Sequence, residues 1–280
     1  MAEESFIIKN KNIKPNNTFF QRQEKLYQMN GWFSPGSHGI FDSLLCYQKE
    51  KGVKGNLGEI GVWHGKSATV LCHNSLEGET VTLIDPYLKE KENYIFRNIG
   101  EVCGEVSDFI KVYNEFSENL LNSPILAEYF NSYRFFHIDG CHTGTNVFHD
   151  IELAEKLVHE KAVLVVDDFM NPSYPQITEA VYRYLFLHPY NFKLFLAGFN
   201  KAYLCRNPSY SFYYEFCMEK LQKEMLSRGM AIAIKKTSGI GDCDTISIED
   251  YKPQEDPLNG LRGPDWDPNS FDIVKKEKLL

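Results

Sequence analysis

Two short blocks of this chain carry the side chains best suited to chemistry. Asp139 and His142 lie in Y-R-F-F-H-I-D-G-C-H, and Asp167 and Asp168 lie in A-V-L-V-V-D-D-F. In each block an apolar run breaks into carboxylates, which is how a buried parallel strand finishes at a site. Between the blocks, Val147, Ile151, Ala154, Leu157 and Val158 recur close to helical spacing. The unit reads as strand, crossover helix, strand. Such a crossover lays the two strands side by side and parallel, with their C-terminal ends at one edge. Asp139, His142, Asp167 and Asp168 then share one small volume. Carboxylates that close repel one another, and a cation among them relieves the repulsion. An oxygen-rich cluster of this kind suits Mg²⁺ or Mn²⁺, with waters or substrate oxygens completing the octahedron. The competing reading is that strand-end acids only cap helices and pair on the surface.

The elements that must hold this cluster begin upstream. A strand over Asn56–Val62 runs into G-E-I-G-V-W-H-G-K-S-A, and a helix over Ser67–His73 follows. Gly61 permits a tight turn, and Gly65 lets a ligand approach the backbone near a helix N-terminus. The spacing is not G-x-G-x-x-G, so the dinucleotide fingerprint fails. A second strand, Thr80–Ile84, ends in Asp85, where nucleotide-binding folds place the acid that grips ribose hydroxyls. Glycine turn and strand-end acid together point to an adenosine-bearing cofactor. Helix Glu90–Phe109, strand Ile110–Tyr113, helix Pro175–Phe186 and a closing hairpin of Phe192–Ala197 with Lys201–Cys205 complete an alternating pattern. The expected fold is a Rossmann-like, doubly wound α/β sheet, mostly parallel, with an antiparallel closing strand.

The expected organisation has three parts. Residues 1–51 form a loose arm and a helical lid, with helices over Phe19–Met29 and Ile40–Glu50. Between those helices, G-W-F-S-P-G-S-H-G-I reads as a break in the chain, where Trp32 and Phe33 are either core plugs or lid aromatics. Residues 52–206 form the core. Residues 207–280 add a small extension: a helix over Tyr210–Ser227, strands Met230–Lys235 and Thr245–Ile248, and a Pro-, Gly- and Asp-rich tail over Pro253–Asn269.

Composition bounds the function classes. The 280 residues can bury one large core, and a formal net charge of −8 disfavours an electrostatic hold on nucleic acid or an anionic membrane. Seven scattered cysteines without a CxxC pair fit reduced thiols and a cytoplasmic location. The acidic start M-A-E-E-S-F has no signal-peptide pattern, and no apolar run is long enough for a bilayer. A homo-oligomer is compatible with this composition.

E-I-G-V-W-H-G-K-S, L-I-D-P-Y, F-H-I-D-G-C-H and L-V-V-D-D-F, in this order, resemble the class I S-adenosylmethionine-dependent O-methyltransferases. The resemblance is closer to the magnesium-dependent branch that methylates sugars of natural products, the macrocin and mycinamicin type. It covers roughly residues 52–206. It implies S-adenosylmethionine as cofactor, with Glu59, Gly61, Gly65 and Ser67 around its methionine and ribose part, Asp85 on the ribose hydroxyls and Ser117 bordering the adenine. It implies Mg²⁺ (or Mn²⁺) on Asp139, Asp167 and Asp168, and a hydroxylated small-molecule acceptor of sugar type. His142 matches a histidine that serves as general base in some members. Others carry an aspartate where this chain has Cys141, so the histidine version is expected and Cys141 is a bystander. His137, inside its strand, is expected to be structural, and Asp150 either supports a ligand from behind or faces solvent. His64 and Tyr87 read as pocket walls. Two rival classes compete with this reading: a metal-dependent nucleotide-sugar glycosyltransferase, whose D-x-D motif is absent, and a non-catalytic relative of the fold.

Overall fold

The structure is a computed structural model that describes residues 13–104, 109–238 and 244–250. The first residues of the expected arm, the tail over Pro253–Asn269 and Cys243 lie outside them.

Strand formation follows the apolar runs. β1 (Asn56–Ile60), β2 (Val81–Ile84), β3 (Ile110–Tyr113), β4 (Tyr133–Ile138), β5 (Val158–Asp167), β6 (Phe192–Gly198), β7 (Lys201–Arg206), β8 (Ile232–Ser238) and β9 (Asp244–Asp250) form one sheet. Its order is β3-β2-β1-β4-β5-β7-β6-β9-β8. The first five in that order run parallel, and β7 closes antiparallel on β5. All six residues of β4 are buried, as a strand covered on both faces requires. Phe135, Val163 and Val165 join one apolar cluster; Phe136, Leu164 and Val166 join the other. Alternate residues thus feed opposite faces of the sheet. The expected doubly wound α/β architecture is present.

Helix boundaries show where local chemistry outweighs periodicity. The helix expected from Ile40 begins at Pro35, because Ser34 accepts a bond from the Ser37 amide and proline suits the first turn. Gly36 and Gly39 are therefore helical residues and break nothing. A Cβ on Gly36 would come within 2.3 Å of the Phe199 ring, and one on Gly39 within 2.2 Å of Met230. They are small because neighbours press against them. The helix expected to reach Phe109 spans Leu88–Cys103 and is closed by Gly104. The crossover helix is Gly144–Leu157, capped by Thr143.

The terminal regions are built into the same core. Tyr213, Phe216, Leu221 and Met225 of the C-terminal helical segment pack in the cluster that holds Phe41 and Leu44. β9 pairs in parallel with β6, through Leu196 opposite Ile246, so the C-terminal hairpin lengthens the sheet. Arg134 on β4 is buried and held by Glu79 through Nε–Oε1 and Nη2–Oε2 bonds of 2.8 Å each, with Gln48 of helix Pro35–Glu50 at 2.9 Å.

Candidate functional site

β1 ends at Ile60, and the chain turns at Gly61 and Gly65, both with φ of +81°. Only glycine fits at Gly61, since a Cβ there would come 1.8 Å from the Asp139 carbonyl oxygen. That close approach locks the glycine turn against the end of β4. Gly65 opens helix Lys66–Asn74, whose N-terminus carries no side-chain cap, which leaves its dipole and first amides free to meet an anionic or polar ligand. Asp85, at the end of β2, accepts from Val62 N at 2.9 Å, Trp63 N at 3.3 Å and Tyr87 N at 2.8 Å. The predicted ribose acid thus also builds the turn. An ionised carboxylate offers about four acceptor positions, so a further partner can still be met.

Glu59 is fully buried beneath this turn. Its Oε1 lies 2.7 Å from His137 Nδ1, while Oε2 has no hydrogen-bond partner. Burial raises the Glu59 carboxyl well above the ordinary range, and burial also depresses the His137 ring. Ser67 faces Glu59 from the helix start. Ser117 opens the short helix after β3 and is half-buried. Trp32 and Phe33 divide the two roles expected of them: Phe33 is buried, and Trp32 is 87% exposed and stacks on Trp63 at 5.9 Å.

The acids at the ends of β4 and β5 lie near one another, but the expected Asp139–Asp167–Asp168 set does not form one donor group: Asp167 pairs with Lys201, and Asp168 turns to His142. Their donor atoms fall into two overlapping trios, His137–Asp139–Asp167 and Asp139–His142–Asp168, each with donors within 4.8 Å of one another. Asp168 adopts a left-handed backbone, φ +55°, so its side chain diverges from that of Asp167. His142 Nε2 lies 3.1 Å from Asp168 Oδ2 and 3.9 Å from Asp139 Oδ1, and its ring stacks on Tyr174 at 4.3 Å. Hydrogen bonding of its protonated ring to the Asp139 and Asp168 carboxylates pushes His142 up to about 10. Burial and the neighbouring Asp167 carboxylate push Asp139 up to about 7. Asp168 moves the other way: desolvation would raise it, but His142, Asn171 and Asn200 hold it below the usual carboxylate range.

Several partners in this cluster carry no sequence signal of their own. Lys201 sits opposite Asp167 in the β5–β7 register, and its Nζ lies 2.5 Å from Asp167 Oδ2 and 3.5 Å from His137 Nε2. A lysine at the start of a hairpin strand reads as a surface charge until the pairing is known. Asn171 and Asn200 both donate to Asp168 Oδ1, at 2.6 and 2.5 Å. Gln176 donates to the His142 carbonyl at 2.6 Å. Asp150 is buried rather than solvent-facing.

Carboxylate oxygens suit Mg²⁺ or Mn²⁺, so Asp139 and Asp168 fit a divalent ion. Lys201 already neutralises the Asp167 side. In the Asp139–His142–Asp168 trio the counter-charge is the His142 proton, which a metal ion can displace. Among the described residues no helix is long and apolar enough to cross a membrane, and the cysteines are free thiols.

A family model described as a methyltransferase domain matches residues 59–169, a span that includes every predicted site residue. Among solved structures the chain is similar to the O-methyltransferase NovP, with a TM-score of 0.51 and 16% identity over 60% of this chain and 78% of that one. It is also similar to a protein from Corynebacterium glutamicum, with a TM-score of 0.51 and 10% identity over 74% of this chain and 97% of that one. At such identities the shared property is the fold. No curated protein matches the chain in sequence.

Proposed function

We propose that this chain, whose residues 59–169 are a methyltransferase domain within a class I O-methyltransferase fold, transfers a methyl group from S-adenosylmethionine to a hydroxyl of a small polyol acceptor of sugar type. The observation that carries this reading is the convergence of Asp139, Asp168 and His142 Nε2 at the sheet edge that also holds the Gly61–Gly65 turn. The sugar class rests on the sequence resemblance and on the acid cluster, which suits a vicinal diol. Free cysteines are in keeping with a reducing cytoplasm.

The residues divide the work. Gly61, Gly65 and the open N-terminus of helix Lys66–Asn74 receive the methionine and ribose part of the cofactor, with Glu59 and Ser67 behind them. Asp85 takes the ribose hydroxyls and Ser117 borders the base. Asp139 and Asp168 hold the divalent ion, and Asp167, fixed by Lys201, completes the anionic wall. When bound, the cofactor supplies an electrophilic methyl group and the cation lowers the pKa of the acceptor hydroxyl. As the oxygen–methyl bond forms and the methyl–sulfur bond breaks, His142 receives the hydroxyl proton at Nε2. Much of the rate gain is positioning.

The test is binding, which requires no knowledge of the acceptor. Titration calorimetry is expected to show binding of S-adenosylhomocysteine and none of NAD or a nucleotide sugar. Electron paramagnetic resonance is expected to show Mn²⁺ bound by the parent and lost in Asp168→Asn. Absence of S-adenosylhomocysteine binding would overturn the methyltransferase reading, and undiminished Mn²⁺ binding in Asp168→Asn would overturn the metal site.

A further inference from the structure

Among the described residues, six non-glycine positions have a left-handed backbone, and four of them lie in two loops at the acid edge. Asp168 and Met170 follow β5, and Phe199 and Asn200 join β6 to β7. The two loops are tied together, since Phe169 N donates to the Asn200 carbonyl at 3.1 Å. Backbone strain of this kind persists only where the surroundings impose it, and it gathers where side chains have to be aimed.

The β6–β7 turn is the less expected of the two. Gly198 pairs with Lys201, so Phe199 and Asn200 are the central residues of a tight hairpin, with φ of +49° and +66°. Hairpin turns with positive φ at both central positions are usually built from Asn-Gly or Asp-Gly. Asparagine tolerates that backbone, and a bulky aromatic residue rarely adopts it. Phe199 is kept there from outside the hairpin. A Cβ on Gly36, in the first turn of helix Pro35–Glu50, would come within 2.5 Å of three atoms of the Phe199 ring, so the ring lies against the backbone of that helix. One residue on, Ser37 Oγ donates to the Phe199 carbonyl at 3.2 Å.

The next two residues of the hairpin are the ones that clamp the acid pair. Asn200 donates to Asp168 Oδ1 at 2.5 Å, which leaves Oδ2 toward His142. Lys201 Nζ lies 2.5 Å from Asp167 Oδ2, with the Phe33 and Phe41 rings 5.3 and 5.9 Å from its ammonium. We propose that Phe199 is a positioning residue for the cation site: its ring, wedged on Gly36, sets the hairpin turn so that Asn200 and Lys201 hold Asp168 and Asp167 in their separate directions. The inference rests on the metal reading above and deepens it, because it makes the start of helix Pro35–Glu50 part of the support behind Asp168. A carboxylate with one oxygen fixed by an amide presents the other in a single direction, and less freedom is lost when an ion binds.

The experiment is a double-mutant cycle read on two ligands. Electron paramagnetic resonance measures Mn²⁺ affinity, and calorimetry measures S-adenosylhomocysteine affinity, on the parent, Phe199→Gly, Gly36→Ala and the double variant. Phe199→Gly keeps a residue suited to the left-handed backbone and removes the ring. Its Mn²⁺ affinity is expected to fall about tenfold, the usual cost of losing the support behind a metal ligand, with S-adenosylhomocysteine affinity unchanged. Gly36→Ala pushes the ring off the helix and is expected to act in the same way. In the double variant the new methyl group meets no ring, so Mn²⁺ affinity should equal that of Phe199→Gly alone. Losses that add in the double variant, or parental Mn²⁺ affinity in Phe199→Gly, overturn the proposal. An equal loss of both ligands marks a general loosening of the fold and overturns it as well. Phe199→Gly keeps the test open should Gly36→Ala fold poorly. A parent that binds no Mn²⁺ overturns the cation site itself and this inference with it, whereas a parent and variants that bind it alike overturn only the role of Phe199.

Discussion

The charge on one imidazole governs the chemistry of the acid cluster. His142 is flanked by Asp168 at 3.1 Å and Asp139 at 3.9 Å, and these carboxylates push it up to about 10, so the ligand-free ring is an imidazolium at neutral pH. A general base has to shed that proton first, and a cation bound by the same carboxylates cancels the field that retains it. kcat/KM should therefore rise with pH along an acidic limb that reports the ring. His142→Ala is expected to lower kcat by roughly 10²–10⁴-fold and to abolish that limb. Cys141→Ala should leave both intact. A pH profile of His142→Ala that keeps the limb would place the base elsewhere. The position of His142 was legible in D-G-C-H because a strand end fixes its neighbourhood. Its charge was not legible, because it depends on the left-handed turn at Asp168, and residues at 171 and 200 help to hold that turn's carboxylate. Lys201 escaped for the same reason: only the pairing of β5 with β7 brings it to Asp167.

At the scale of elements, the glycine turn and the end of β4 are one mechanical unit. Gly61 has φ of +81°, and a methyl group there would meet the Asp139 carbonyl at 1.8 Å. Gly61→Ala therefore has to displace either the cofactor turn or the loop that begins with Asp139. The left-handed backbone alone costs about 1 kcal/mol, and the forced shift adds a few more. The expected outcome is joint loss: S-adenosylhomocysteine affinity falls by more than about tenfold and Mn²⁺ occupancy falls with it. If calorimetry and resonance show both ligands bound as in the parent, the coupling is absent. The succession of strands along the chain, the crossover and the two glycines were readable from periodicity and turn chemistry; the order of the strands in the sheet, and the pairing of β9 with β6, were not. Element ends were less so. Helix Pro35–Glu50 starts one turn early because a serine cap and a proline outweigh glycines that tertiary packing keeps small.

At the scale of the whole molecule, that helix is the element on which the terminal regions are fastened. Asp42 on it is fully buried and binds Arg22 of the N-terminal helix at 3.0 Å and Arg228, after the C-terminal helical segment, at 2.8 Å. One turn earlier, His38 is buried and stacks on Phe19 at 4.3 Å. Burial drives the His38 ring down to about 3, with Asp42 opposing and Arg22, Arg228 and His73 reinforcing the shift. An unfolded histidine titrates near ~6.5, so between these values the unfolded chain binds the proton and the folded chain does not. The stability that the neutral ring provides is fully present above pH ~6.5 and is lost as pH falls toward 3. Asp139 and Asp150, both pushed up to about 7 by burial first of all, act with the opposite sign. The total slope therefore does not isolate the histidine, but a comparison of variants does. His38→Phe keeps a flat ring against Phe19 and removes the titration. The stability difference between His38→Phe and the parent, read from urea midpoints, should shift by about 2 kcal/mol in favour of the variant between pH 7 and pH 5. A difference that stays constant over that range would mean that His38 takes up its proton in the folded chain, and that the joint between the terminal helices and the sheet is open to water.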